Sequence, residues 1–242
     1  MRRSDDLKAS PPMFQSRLLD RFTRVHPAVP PALFGPVISY MLVEGVSREG
    51  VLNSVGLALA GYLTWTLFEY WLHRVVFHFE PDHGVGARLH WMIHGVHHDH
   101  PNDPLRLVMP PSVSVPLAAA LLWAFWGIMG YDAALVFGGS FLAGYLAYDM
   151  LHYHVHHHTP RTAMGRRLRE LHMRHHFQDD ERGFGISAPY WDTIFGTAPA
   201  RTGNRSVAGG TPALDGAMRS DGPGASRPAP GSGILAGRDG PR

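Results

Sequence analysis

The sequence predicts an all-α integral membrane protein, with four transmembrane helices in two hairpins and a cytosolic helical cap rich in histidine. Three observations predict it. Four apolar blocks lie at 31–46, 51–72, 113–129 and 132–151 of a 242-residue chain. Very short connectors, SREG and GYD, join the blocks in pairs. Most of the seventeen histidines gather just beyond the second and fourth blocks.

A helix rises 1.5 Å per residue, so roughly 20 mostly apolar residues cross a hydrocarbon core. The second and fourth blocks reach that length, the third nearly does, and the first is marginal. Connectors this short return the chain beside itself, so each pair enters and leaves on one side. Arginine chooses the side. Arg2, Arg3, Arg17, Arg21 and Arg24 precede the first hairpin, and Arg161, Arg166, Arg167 and Arg169 follow the second. The outer connectors carry only Arg48, beside Glu49. The positive-inside rule then puts both termini and residues 73–112 in the cytoplasm. Trp65, Trp71, Trp123, Trp126, Tyr40 and Tyr70 stand where interfacial or bundle aromatics are expected. The competing picture, buried helices of a soluble protein, fits blocks of this length poorly.

These limits divide the chain into a cytosolic segment (1–30), a membrane-bound domain (31–198) and a disordered tail (199–242). The tail is Gly, Pro, Ala, Ser and Arg without apolar periodicity. It dilutes the mean hydropathy to −0.11. The opening MRRSDDLKAS lacks the apolar core of a cleavable signal. A net charge of +2 gives no reason to expect nucleic acid. The bias to arginine, alanine, glycine and proline points to a bacterial inner membrane. Without cysteine, any transition metal must be held by nitrogen and oxygen.

The histidines form four clusters with recurrent spacing. HRVVFH holds His73 and His78, and HWMIHGVHH holds His90, His94, His97 and His98. HYHVHHH holds His152 and His156 among others, and HMRHH holds His172, His175 and His176. Residues at i, i+3 and i+4 share a helix face, so His94, His97 and His98 point one way, as do His172, His175 and His176. His152 and His156 also share a face. His73 and His78 diverge by about 140° on an ideal helix. They can converge only if the helix ends or bends between them; otherwise they serve different metals. Ten imidazoles exceed what one ion takes, so two metals are expected. A lone exposed His-rich run would be a loose metal binder, but four clusters at span ends and on two helices read as convergent ligands. His26, His83 and His100 read as loop residues, and His154, His157 and His158 as surplus. His90 reads as either an outer contact or an extra ligand. Glu69, Asp99, Asp149, Glu170 and Asp179 are suited to accepting imidazole N–H bonds.

The order H-x4-H, H-x2-H-H, H-x3-H and H-x2-H-H resembles the fatty acid hydroxylase (sterol desaturase-like) superfamily, and most closely the fatty acid 2-hydroxylases. The likeness covers about residues 50–197 and extends beyond the histidines. LHWMIHGVHHDHPNDPLRLVMPP, YDMLHY, HHFQDDERGFGIS and WDTIFGT share it. It implies a four-span bundle whose cytosolic cap holds a dimetal centre, and O2-dependent hydroxylation of a lipid acyl chain at C2. C–H hydroxylation needs two electrons, which two Fe ions can share and zinc cannot, although imidazole also suits Zn in purified protein. The chain shows neither room nor a motif for the fused cytochrome b5 domain of many relatives. Electrons are therefore expected from a separate cytochrome b5- or ferredoxin-like donor with its reductase. The ten histidines would act as ligands, with no further catalytic residue assigned. HHFQDDERGFGIS would serve as a lid or head-group contact. Oxidation of a sterol, carotenoid or alkyl chain, or desaturation, uses the same motifs. A metal-transport protein would need ionisable residues along the spans, which the apolar blocks do not offer.

Overall fold

The computed structural model describes residues 3–200; the expected tail lies almost wholly outside them. Within the described residues the chain is helical, without strands. Two short helices, α1 (Arg3–Asp6) and α2 (Arg17–Arg21), precede the first hairpin of α3 (Val29–Glu49) and α4 (Val51–Trp71). The second hairpin is α7 (Pro111–Met129) and α8 (Tyr131–His157). Between them lie α5 (Gly84–His90) and α6 (Val96–Asp99), and after them α9 (Ala163–Phe177) and α10 (Tyr190–Ile194).

All four hairpin helices are long and apolar enough to cross a membrane. The first block, marginal by sequence, becomes a 21-residue helix because it gains residues at both ends. The connectors shrink correspondingly. Ser47, Arg48 and Glu49 belong to α3, and Tyr131 and Asp132 to α8. Each turn is a single glycine, Gly50 at φ 75° and Gly130 at φ 82°, a conformation costly for residues bearing a Cβ. Arg48 spans the two hairpins at this end, pairing with Glu44 at 2.6 Å and Asp132 at 3.3 Å.

Helix α8 is the axis of the bundle, packing against α3, α4 and α7. Lipid tails are as apolar as side chains, so packing depends on close approach through small residues. A Cβ on Gly61 would lie 2.2 Å from the Phe137 carbonyl oxygen, and one on Gly45 would lie 2.6 Å from Val136 Cγ2. Trp65, Phe141, Tyr145 and Phe34 fill the remaining space with edge-on ring contacts of 5.2–5.4 Å. Trp65 and Tyr70 are therefore core residues, whereas Trp123, Trp126 and Tyr40 face outward.

Candidate metal centre

At the end of the bundle opposite Gly50 and Gly130, all ten expected histidines come together in two groups of five. His73, His78, His94, His98 and His175 form the first, and His97, His152, His156, His172 and His176 the second. In each group one ring nitrogen per residue lies within 4.8 Å of all the others.

A change of helix winding explains the first pair. After Trp71 the chain enters a π-helical turn, Leu72–Phe77, closed by the His78 amide donating to the His73 carbonyl at 3.1 Å. The wider turn brings residues five apart back toward one side, which an α-helix would not do. A second π-helical turn, Trp91–Gly95, carries His94. His152 and His156 need no such device, because α8 runs unbroken through both.

The two H-x-x-H-H helices differ from the single-face expectation. His94 and His98 enter the first group while His97 enters the second; His172 and His176 enter the second while His175 enters the first. Successive residues differ by about 100° around a helix, so adjacent histidines cannot aim at one point. Each helix straddles the two groups. Only the i and i+4 members aim together.

The nitrogens that converge are Nε2. His73 and His94 approach to 3.2 Å, His94 and His98 to 3.0 Å, and His78 and His175 to 3.0 Å. In the other group His97 and His152 are 3.1 Å apart, His156 and His172 2.7 Å, and His172 and His176 3.1 Å. Two nitrogens about 2.1 Å from one ion and at right angles around it stand about 3.0 Å apart, against about 3.4 Å for a tetrahedron. The spacing suits ions with more than four ligands.

Proton counting also favours cations. His73 donates Nδ1–H to the Phe184 carbonyl at 2.7 Å, and His175 donates Nδ1–H to the Arg182 carbonyl at 2.8 Å. Their Nε2 atoms then carry bare lone pairs. Burial, followed by the neighbouring His175 ring, pushes His78 and His98 down to about 3. Burial and adjacent imidazoles likewise hold His94, His97, His172 and His176 well below the ordinary range. Neutral imidazoles with converging lone pairs repel one another until a cation takes them. The donor set fits a pair of metal ions.

The carboxylates expected to orient these rings are engaged elsewhere. Glu69 accepts from the Ser187 amide at 2.7 Å and from the Ser187 hydroxyl, and Asp99 accepts from Trp91 Nε1 at 2.9 Å. Asp149 accepts from the Met109 amide, while Glu170 and Asp179 pair with arginines. Backbone carbonyls do the orienting instead. The segment expected to be a lid supplies them, anchored by a residue the sequence reading passed over. Asp192 accepts from the Phe184 and Gly185 amides at 2.9 and 2.8 Å and from Thr197 Oγ1 at 2.8 Å. Gly183, at φ 82°, donates to the Thr197 carbonyl. The FGIS and WDTIFGT stretches thus form one clasp. The only sequence signal for it was their joint presence in the family likeness.

His90 stands outside both groups and donates Nε2–H to the Phe77 carbonyl at 2.7 Å. It braces the π-helical turn and is not a converging ligand. His26, His83, His100, His154, His157 and His158 are also outside the groups.

An apolar cavity of about 440 Å³ reaches His94, His97 and His152 from the side of Leu89, Ile93, Met109 and Val113. Met109 also borders a crevice of about 20 Å³ inside the bundle, room for little more than one water, lined by Trp65, Leu117, Ala118 and Leu121.

A fatty acid hydroxylase family model matches residues 58–197. The chain is 37% identical over 191 residues to the dihydroceramide fatty acyl 2-hydroxylase FAH2 of Arabidopsis thaliana, covering 78% of this chain and 80% of that protein. It is 36% identical over 200 residues to the ceramide very long chain fatty acid hydroxylase SCS7 of Saccharomyces cerevisiae, covering 78% of this chain and 50% of the yeast protein. The solved structure of full-length scs7p, in which only the hydroxylase domain is visible, matches with a TM-score of 0.73 at 32% identity over 76% of this chain and 70% of that one.

Proposed function

The chain belongs to the fatty acid hydroxylase family, and from that premise we propose that it hydroxylates C2 of a lipid-linked acyl chain at a histidine-ligated di-iron centre. One observation carries this reading: an apolar cavity ends on two five-imidazole groups. The family makes the chain an oxidoreductase, and the four apolar helices make it a multi-pass membrane protein.

The overall reaction consumes R–H, O2, two electrons and two protons and yields R–OH and water. His73, His78, His94, His98 and His175 would hold one iron, and His97, His152, His156, His172 and His176 the other. Two irons would supply the redox capacity for O2 to attack an unactivated C–H bond. The protein's own part is placement. Carbonyls of Arg182 and Phe184 fix two rings in the tautomer that leaves Nε2 free. Leu89, Ile93, Met109 and Val113 exclude water from the acyl chain and set which carbon meets the centre. Both termini and the metal centre face the cytoplasm of a bacterial inner membrane, and a cytochrome b5- or ferredoxin-like carrier with its reductase delivers the electrons.

Expression in a sphingolipid-producing host, followed by mass spectrometry of acyl chains, tests the reading. An acyl species one oxygen atom heavier, hydroxylated at C2, is expected, and His94→Ala or His175→Ala should abolish it. Iron-loaded protein with a competent reductase that forms no oxidised lipid would overturn it.

A further inference from the structure

Exposed apolar side chains gather on two elements next to the segments that line the acyl cavity. Leu18 on α2 and Phe22 just after it are 66% and 63% exposed. On the cap helix that runs on from Gly84, Val85, Leu89 and Ile93 are 76%, 48% and 54% exposed. Their spacing of four places them along one face. The segments on either side of α2 reach the cavity: Met13, Phe14 and Thr23 line it together with Leu89 and Ile93, and Arg88 donates to the Met13 carbonyl at 3.4 Å. The first turn of α7 closes the third side through Pro110 and Val113. Because α7 is a membrane-length apolar helix, this rim continues the lipid-facing surface of a span.

Charge adds to the pattern. Arg17, Arg21 and Arg88 are exposed among these apolar residues. Large apolar side chains interleaved with arginine on short helices mark surfaces that lie in a membrane interface, with arginine at headgroup level. Water-facing surfaces rarely gather so many large apolar residues in one place.

We infer that α2 and the Val85–Leu89–Ile93 face of the cap are set into the acyl layer of the adjoining leaflet, so that the cavity opens into lipid. The lipid contact stands on exposure, continuity and charge. Its consequence, that substrate slides in laterally without crossing water, rests on the hydroxylase reading. Anionic lipid headgroups would pair with Arg17, Arg21 and Arg88, while Leu18, Phe22 and Val85 sit among acyl chains.

The absence of cysteine allows single nitroxide labels at Leu18→Cys, Val85→Cys and, as a control on α9, Met164→Cys, a position 75% exposed. The full chain would be reconstituted in vesicles of phosphatidylcholine and phosphatidylglycerol. Labels at 18 and 85 should collide several-fold more with O2 than with chromium oxalate, relative to the label at 164. Equal accessibility to chromium oxalate at all three positions would overturn the inference. So would dipolar broadening between copies, which marks a protein contact. Leu18→Asp should also raise KM several-fold for vesicle-borne ceramide while leaving a short-chain, water-dispersed acyl substrate unaffected. A wild-type protein that hydroxylates neither substrate defeats the functional reading, while the label depths still decide the membrane contact.

Discussion

His97 and His175 occupy equivalent places in their H-x-x-H-H helices, and each crosses to the group built mainly around the other's helix. His97 Nε2 lies 3.1 Å from His152, and His175 Nε2 lies 3.0 Å from His78. Each hairpin end and its following helix supply four imidazoles to one group, and the opposite helix supplies the fifth. The two groups are also in direct contact, with the His98 and His176 rings 4.3 Å apart.

The crossing predicts coupled metal binding. His97→Ala should lower occupancy of both ions, because it also loosens the helix that carries His94 and His98. Hydroxylation should be lost, and metal analysis should find well under two ions per chain. His157→Ala, outside both groups, should retain full metal content.

The clasp on α4 supports the ring carbonyls from a distance. Asp192→Ala removes the acceptor for the Phe184 and Gly185 amides, and Glu69→Ala releases Ser187. Changes to groups that orient metal-binding histidines cost about 10–100-fold in affinity or activity. Chelator competition should show weaker metal retention in both variants, and Asp192→Asn should recover part of the loss.

Acid should unfold the metal-free protein. The folded pKa of His78 and His98, about 3, lies below the ordinary 6.5. The unfolded chain therefore binds more protons between these values, and stability falls as pH drops below about 6.5. Thermal unfolding of chelator-treated protein should move to lower temperature between pH 7 and pH 5. Metal-loaded protein should resist acid until lower pH, because the metal competes with protons for the same nitrogens.

Close approach of α4 to α8 should tolerate no side chain at Gly61. The obstacle is the Phe137 carbonyl oxygen at 2.2 Å, which cannot rotate away. Overpacking costs about 1–3 kcal/mol, so Gly61→Val should lower folded yield and melting temperature in detergent. Gly56→Ala, with nothing within 4 Å, should be neutral.

Hairpins and i, i+4 ligand pairs were legible because both follow from local geometry. Apolar length gave the spans, and His152 with His156 followed from helical period alone. His73 and His78 required a π-helical turn, which five-residue spacing demands without naming. The assignment of His97 and His175 to opposite groups depends on where two helices lie in space, and no local pattern encodes that. The carboxylates were misread for a related reason. Nearness in sequence to the histidines suggested them as acceptors, but tertiary contacts gave that task to the carbonyls of Arg182 and Phe184. Asp192, distant in sequence from every metal-site histidine, had no local signal at all.

Among the described residues, the one-residue turns at Gly50 and Gly130 leave almost no chain at the end of the bundle away from the histidines. A protease, an antibody or a modifying enzyme approaching there would meet little beyond the two helix tips and Arg48. On the proposed reading, electron delivery and lipid entry would both use the opposite face. A docked carrier would then compete for room with the inferred lipid-contacting rim, and the order in which lipid and reductant bind would become a matter of occupancy at one crowded surface.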